Sequence, residues 1–309
     1  MNNPELRPET YSAKEKRDIS KTIKEISKEE AIKDLLKLRD LTCDDVKQLP
    51  VRSFHGTDFI YYHVYPELLN TRTAKNISFY EFLENIDYFM EKPYIHNLYD
   101  LERERIKNGT HPNKVYKSIF GLHFGSVNIF KPWVAMDLYC KYKPKCILDF
   151  TAGWGSRMVG AACLGIDYIG IDLNKKMVGP YKNMINMLRP YSNSKITMIN
   201  QDATKVDYSK LHYDFVFTSP PYYNVEIYSG TSHMSKEEWN NQFYIPVFTE
   251  TYKHLKRGGY WCINVPREIY KNVCIPLLGA ADKKVELKKN SRNSEDKYKE
   301  YIYIWHKTA

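Results

Sequence analysis

A glycine turn between two short apolar runs is the feature that most narrows the fold. Residues 145–150 are typical of a buried strand that ends in Asp149, and the turn at 153–155 (Gly-Trp-Gly) leads into a helix start. Residues 168–172 form a second apolar run, which also ends in an acid, Asp172. This order of strand, glycine turn, helix and acid-tipped strand is the βαβ pattern. The segment therefore predicts an α/β fold with a parallel sheet.

Further apolar runs extend the predicted sheet. Strands are expected at 196–202, 213–217 and 260–265, followed by an alternating pair at 285–289 and 301–306. Together they predict a Rossmann-like, seven-stranded sheet that is mostly parallel, with one strand reversed. Right-handed crossovers bring the carboxyl ends of parallel strands to one edge, where ligands bind in such folds. The side chains expected at that edge are Asp149, Asp172, Asp202 and Ser219.

The glycine turn differs from that of nicotinamide-binding folds in two respects. Met158 stands where a third glycine would pack the helix against the strand under a pyrophosphate. Asp149 would repel a diphosphate, whereas its carboxylate suits a cationic amino-acid group. Asp172 is placed to accept hydrogen bonds from ribose hydroxyls. These features fit S-adenosylmethionine, which carries a sulfonium and an ammonium group and no phosphate.

A second constellation follows the run at 213–217, where residues 218–222 read Thr-Ser-Pro-Pro-Tyr. Two consecutive prolines fix φ and remove two backbone N–H donors, so nearby carbonyls cannot take part in the hydrogen bonds between neighbouring strands. This leaves the carbonyls of Ser219 and Pro220 as free acceptors beside the ring of Tyr222. Such a site suits a flat ring with an exocyclic amine, whose hydrogens bond to the carbonyls while the tyrosine stacks on the ring.

Together, the two constellations resemble the amino-group DNA methyltransferases, whose catalytic motif is Asp, Asn or Ser followed by Pro-Pro and Tyr or Phe. The resemblance covers residues 120–270 and rests on the order and spacing of the motifs. It implies a class I fold that uses S-adenosylmethionine. The catalytic residues that it implies are Ser219, Pro220, Pro221 and Tyr222. The residues that it implies for the cofactor are Asp149, Thr151, Gly153, Gly155, Asp172, Asp202, Phe130 and Lys131.

The resemblance also implies the reaction, which is methyl transfer to cytosine N4 or adenine N6 in DNA. Ser before the prolines favours cytosine slightly. A base in a duplex has to be flipped out or already unpaired to reach such a pocket. The family also allows a partner nuclease, as in restriction–modification systems. Two alternatives stay open: an RNA or protein-amide methyltransferase, and a catalytically inactive nucleic-acid-binding protein of the same fold.

Three of the implied cofactor residues have equally good structural explanations. An acid at a strand end, such as Asp202, is also a common cap for a helix or turn. Phe130 and Lys131 precede an apolar helix at 133–142, and in the family such a segment folds over the cofactor. A plain helix that leads into the first strand explains the same residues.

The chain is expected to have two parts. Residues 1–115 carry alternating charges and capping boxes, as at Ser78 and Glu81, and predict a helical appendage that could recognise the target. Residues 116–309 are expected to form the catalytic domain. Helices are expected at 94–107 and from Ser235 to Lys256. Loop residues Tyr223, Asn224, Glu226 and Tyr228 and a basic run from Lys283 to Arg292 are candidates for contacts with the target.

Composition supports these interpretations. Hydrophobic residues make up 43% and charged residues 27% of the 309, which is typical of a globular protein. The net charge of +9 suits a polyanionic partner such as DNA. The six cysteines show no CxxC pair, so we expect free thiols in a reducing compartment and no metal. We expect an intracellular protein, without a signal peptide or membrane span.

Overall fold

The computed structural model describes residues 6–223, 234–287 and 300–308. Its sheet is mostly parallel, in the order β3-β2-β1-β4-β5-β7-β6. β7 runs antiparallel to both of its neighbours, whereas β1 to β5 are parallel to one another. The strands are β1 (Cys146–Asp149), β2 (Asp167–Asp172), β3 (Ile196–Asn200), β4 (Phe215–Thr218), β5 (Tyr260–Val265), β6 (Lys283–Glu286) and β7 (Tyr301–His306). The predicted α/β sheet of seven strands, with one reversed, is confirmed.

Burial along the strands follows their place in the sheet. Every residue of the central strand β4 is buried, because helices cover both faces. The edge strands β3 and β6 are half-buried or exposed throughout. The predicted strand at 285–289 begins two residues earlier, and Lys288 and Lys289 lie outside the described residues.

The alternation of side chains along β4 divides the core into two layers. Phe215 and Phe217 face one side, where their ring centroids lie 6.0 and 6.1 Å from that of Tyr139. Val216 faces the other side, in a cluster with Leu148 and Trp261. Successive residues of a strand point to opposite faces, so a continuous apolar run fills both layers.

Helices make up most of the remaining described chain, and within it none is long and apolar enough to cross a bilayer. They are α1 (Ala13–Ile23), α2 (Lys28–Arg39), α3 (Cys43–Gln48), α4 (Thr57–Asn70), α5 (Phe79–Glu84), α6 (Ile86–Met90), α7 (Pro93–Lys107), α8 (Pro112–His123), α9 (Pro132–Tyr142), α10 (Ser156–Cys163), α11 (Val178–Leu188), α12 (Lys236–Trp239), α13 (Ile245–His254), α14 (Arg267–Ile269) and α15 (Ile275–Leu278).

Contacts along the chain divide it into two units. The described part of the first unit, residues 6–28 and 64–128, is helical and has an aromatic core that includes Phe79, Phe82 and Phe120. The second unit contains residues 29–63, 129–223 and 232–309, and holds the whole sheet. Residues 29–63 thus group with the sheet, and the expected domain boundary at 115 stays a prediction.

Several predicted helix signals have the expected geometry. Ser78 and Glu81 form a capping box at the start of α5, and Ser235 and Glu238 form one at the start of α12. The helix expected from Ser235 to Lys256 is interrupted, because residues 240–244 form a π-helical turn between α12 and α13. The helix predicted at 94–107 corresponds to α7.

One expectation about the cysteines is wrong. Cys43, at the start of α3, forms a disulfide with Cys140 in α9. The two cysteines are 97 positions apart in sequence, so no short spacing motif indicates that they pair. Packing of α3 against α9 brings them together. Cys146, Cys163, Cys262 and Cys274 are free thiols, as expected.

A glycine allows close contact between α9 and α10, the helices that precede and follow β1. Gly160 lies in the middle of α10, where a Cβ atom would come within 2.8 Å of the Pro132 carbonyl oxygen and 3.3 Å of Met136 Cγ in α9. Real Cβ atoms do not approach a backbone oxygen this closely, so the two helices need glycine here. Gly179, in α11, has open space around it instead.

Gly160→Ala should therefore lower the free energy of unfolding by about 1–3 kcal/mol, because the added methyl group overpacks the contact. Gly179→Ala is the matched control, and alanine there should leave stability unchanged or raise it. Urea unfolding followed by circular dichroism measures both variants. Equal stability of the two would show that α9 and α10 do not pack as closely as described.

Candidate functional site

The site begins with a glycine turn that is bonded to the end of β2. Gly153 and Gly155 have φ of 58° and 81°, which a residue with a side chain rarely adopts. The N–H of Gly153 donates to Asp172 Oδ2 over 2.7 Å, and the Tyr181 hydroxyl donates to the Gly153 carbonyl and to Asp172. Asp172 thereby holds the turn against the tip of the neighbouring strand.

The Asp172 carboxylate has structural partners on both oxygens. Oδ1 accepts from the backbone N–H of Asn174 at 2.8 Å, in addition to the contacts of Oδ2 with Gly153 and Tyr181. Burial raises the pKa of Asp172, although these hydrogen bonds oppose the rise. The expected contact of Asp172 with ribose hydroxyls stays a prediction.

Asp149 lies completely buried at the end of β1 and forms an ion pair with Arg157. Arg157 Nε donates to Oδ2 at 2.6 Å, and Nη2 donates to Oδ1 at 3.2 Å. The hydroxyls of Tyr168 and Thr218 donate to the same carboxylate at 2.5 and 2.8 Å. Burial acts to lower the pKa of Arg157, but the carboxylate of Asp149 outweighs it and raises the pKa.

The sequence-based expectation for Asp149 did not include this ion pair. A buried guanidinium pairs with the carboxylate, and the expected contact of Asp149 with the cationic part of a cofactor stays a prediction. Arg157 was not predicted as a site residue, although the sequence carries a signal for it. A cation in the first turn of a helix is unfavourable next to the positive end of the helix dipole, so Arg157 in α10 needs an acidic partner.

Thr151 connects the glycine turn to the proline motif. Its hydroxyl lies 2.5 Å from the hydroxyl of Thr218 and donates to the carbonyl of Ser219 over 3.3 Å. Its own carbonyl accepts from Arg157 at 2.6 Å. The two motifs, which are more than 60 positions apart in sequence, are therefore joined by one buried polar network.

The proline motif itself is held by Asn264, at the end of β5. Asn264 is 2% exposed, and its Oδ1 lies 2.7 Å from the Tyr222 hydroxyl and 3.2 Å from the Ser219 hydroxyl. These two hydroxyls lie 2.9 Å apart, and Asn264 Nδ2 donates to the carbonyl of Tyr301. Asn264 was not predicted either, yet it is the one side-chain amide within the apolar run 260–265.

The expected free carbonyls are present in part. The carbonyl of Ser219 accepts from Thr151, and that of Pro221 accepts from the Tyr244 hydroxyl at 2.6 Å. The carbonyl of Pro220 accepts no hydrogen bond from any residue that the structure describes. One unpaired acceptor therefore remains beside Tyr222.

The two residues before α9 have different surroundings. The ring of Phe130 lies 5.6 Å from the guanidinium of Arg157 and 5.8 Å from the ring of Phe217, next to the buried network. The ammonium group of Lys131 instead donates to the carbonyl of Val51 and lies over the ring of Phe54. The structure thus brings Phe130 to the site and engages Lys131 with another segment.

Asp202 has the geometry of a turn cap. Its Oδ1 accepts from the N–H and the hydroxyl of Thr204, at 2.9 and 2.8 Å, at the start of a 3₁₀ turn. A contact with an adenine amine stays a prediction. The predicted target contacts at Asn224, Glu226, Tyr228 and Arg292 lie outside the described residues.

Comparisons with solved structures find methyltransferase folds at low similarity. TrmN from Thermus thermophilus is 16% identical over 57% of this chain, with a TM-score of 0.43, and only 48% of its own length is covered. An rRNA methylase from Streptococcus thermophilus is 13% identical over 59% of this chain and 100% of its own, with a TM-score of 0.39.

An RNA methyltransferase from Salinibacter ruber, in complex with S-adenosyl-L-homocysteine, is 14% identical over 59% of this chain and 94% of its own, with a TM-score of 0.37. No protein-family model and no curated protein matches the chain. Because similarity at this level carries no argument about activity, the functional argument rests on the site itself.

The buried ion pair makes a direct prediction about stability. Arg157→Leu should lower the free energy of unfolding by about 3–5 kcal/mol, because it leaves Asp149 buried without a cation. The double variant Asp149→Asn/Arg157→Leu should lose less than this single variant. Lys210→Leu, which breaks the exposed pair with Asp207, is the control and should change stability little. Denaturant unfolding measures all three; a double variant less stable than Arg157→Leu would contradict the ion pair.

Proposed function

We propose that this chain is a methyltransferase that transfers a methyl group from S-adenosylmethionine to the exocyclic amine of a base in DNA. The observation that carries the proposal is the contact between the two motifs at Thr151, whose hydroxyl bonds to Thr218 and Ser219. A cofactor on the glycine turn and an amine on the proline motif would then be neighbours at one edge of the sheet. Methyl transfer needs this proximity above all.

The residues of the glycine turn fit the cofactor. A Cβ atom at Gly153 would meet only the Thr151 carbonyl oxygen, at 3.8 Å, so the backbone there is open to close approach. Next to the turn, the hydroxyl of Ser156 is buried and has no hydrogen-bond partner among the described residues. A buried hydroxyl of this kind needs a polar partner, which a bound ligand can supply. Asp172, on the other side of the turn, is proposed to bind the ribose.

The remaining proposed cofactor contacts have separate grounds. Asp149 is proposed to support the cofactor site by orienting Arg157, since its own carboxylate is fully engaged in the buried network. Thr151, Phe130, Lys131 and Asp202 are proposed from the family resemblance. When bound, S-adenosylmethionine supplies an electrophilic methyl group on a sulfonium.

The proline motif is proposed to hold the amine. An exocyclic amine is a poor nucleophile, because its lone pair is delocalised into the ring. Hydrogen bonds from its two N–H groups to the free carbonyl of Pro220 and to Ser219 Oγ favour a pyramidal nitrogen with a localised lone pair. The nitrogen gains a methyl group and loses one proton, which passes to water.

Tyr222 is proposed to stack on the base. The hydrogen bonds of its hydroxyl with Asn264 and Ser219 hold the end of the ring in place before a base arrives. Stacking of a base on an aromatic side chain contributes about 1–3 kcal/mol. Pro221 positions this ring, because its carbonyl is held by Tyr244.

The more specific parts of the proposal are that the substrate is DNA and that the methylated atom is cytosine N4. The serine before the prolines supports cytosine slightly over adenine, and the target base has to be unpaired or flipped out of a duplex to reach the motif. The chain's net charge of +9 supports a nucleic-acid substrate. A partner nuclease remains compatible with the resemblance.

Two substitutions at Tyr222 test the role of the proline motif. Tyr222→Ala should lower kcat/KM for methyl transfer roughly 5- to 150-fold, the equivalent of the lost stacking. Tyr222→Phe keeps the ring and loses only its hydrogen bonds, so it should cost roughly fivefold. Affinity for S-adenosylmethionine, measured by calorimetry, should be nearly unchanged in both.

Each result has a separate meaning. Equal rates for Tyr222→Ala and the unchanged protein would contradict the proposed substrate site. Absence of any heat with S-adenosylmethionine in the unchanged protein would contradict the cofactor, and would favour a binding protein of the same fold.

A further inference from the structure

The segment 173–201, which contains α11 and β3, has an unusual charge. It carries the exposed cations Lys175, Lys176, Lys182, Arg189 and Lys195, and it contains no aspartate or glutamate. None of these five forms an ion pair with any residue that the structure describes. Five positive charges with no acidic residue between them therefore lie on α11, on the turns at its two ends and just before the edge strand β3.

Two of these cations, Lys182 and Arg189, line a cleft. The cleft has a volume of about 400 Å³ and lies between α11 and β3, with Lys182 and Arg189 in its lining. This volume lies within the range of small-molecule binding sites. Asn186 and Arg189 follow Lys182 by four and seven positions, so the three side chains lie on one face of the helix.

The floor of the cleft is apolar and carries amide groups. Ile196, Met198 and Asn200 alternate along β3 and line the cleft together with Ile185. Met198 leans across the neighbouring strand, where a Cβ atom at Gly170 would lie 2.6 Å from its sulfur. The glycine thus makes room for a broad apolar floor.

The edge of the sheet is exposed along this cleft. β3 is the outermost strand on its side, and its residues are half-buried or exposed. At one end the cleft reaches Asp172, the last residue of β2, which holds the glycine turn. A ligand in the cleft would therefore be adjacent to the site described above.

We propose that this cleft holds an unpaired stretch of nucleic acid, with phosphates on Lys182 and Arg189 and bases against Met198 and Ile185. Grooves that bind single strands without sequence preference combine cations for the phosphates with flat side-chain faces for the bases. This cleft has the cations, and its apolar floor offers the surface against which bases would lie. Asn186 and Asn200 offer hydrogen bonds to base edges. The inference rests on the nucleic-acid substrate of the proposed function, and adds where the strand next to the target base is held.

The test is binding of a short fluorescein-labelled single-stranded DNA, followed by fluorescence anisotropy between about 50 and 200 mM salt. Lys182→Gln/Arg189→Gln removes both cations from the cleft. Lys256→Gln/Arg257→Gln is the matched control, because it removes two exposed cations from the turn before β5. Circular dichroism establishes that both variants are folded.

The cleft variant should bind about tenfold more weakly at 100 mM salt, and its slope of log affinity against log salt should be smaller by about 1.4. The control variant should bind like the unchanged protein. Equal losses in the two variants, or none in the cleft variant, would overturn the inference. An equal loss for a duplex of the same sequence would also overturn it, because bases paired in a duplex cannot enter the cleft.

Failure of the proposed function has a different signature. A protein that binds neither single-stranded DNA nor RNA would contradict the nucleic-acid substrate itself, and this inference with it. Normal binding and methyl transfer in the cleft variant would contradict the cleft alone.

Discussion

The buried pair of Asp149 and Arg157 is the interaction on which the rest of the site depends. A carboxylate without exposure needs a cation and hydrogen bonds, and Arg157, Tyr168 and Thr218 supply them. Because Arg157 also bonds to the carbonyl of Thr151, the same pair fixes the glycine turn. Thr151 then reaches the proline motif. The two motifs are thus held in one geometry by a charge pair below the surface, and the surface groups remain available for ligands.

Much of the fold could be predicted from the sequence, because short-range patterns determine it. Apolar runs of four to six residues, with glycine turns and capping boxes between them, locate β1, β2, β4, β5 and β7. Parallel strands with right-handed crossovers have their carboxyl ends at one edge. The sequence alone therefore predicts that Asp149, Asp172 and Ser219 lie at the same edge.

The partners of these residues could not be predicted in the same way, because they depend on packing between distant segments. Asp149 is bonded to a helix cation, Asp202 caps a turn, and Asn264 holds Tyr222 from a strand more than 40 positions away. The disulfide between Cys43 and Cys140 depends likewise on how two helices pack. Spacing in a sequence shows which residues end a strand, but the choice among several hydrogen-bond partners is made by the whole core.

Identification of the methylated product tests the central claim most directly. The purified protein is incubated with methyl-labelled S-adenosylmethionine and, separately, duplex DNA, single-stranded DNA and RNA, and the digested nucleosides are identified by mass spectrometry. The account predicts label in DNA as N4-methylcytosine, or as N6-methyladenine if the larger base is the target. Label in RNA alone would contradict the substrate, and label on no nucleic acid would contradict the proposed reaction.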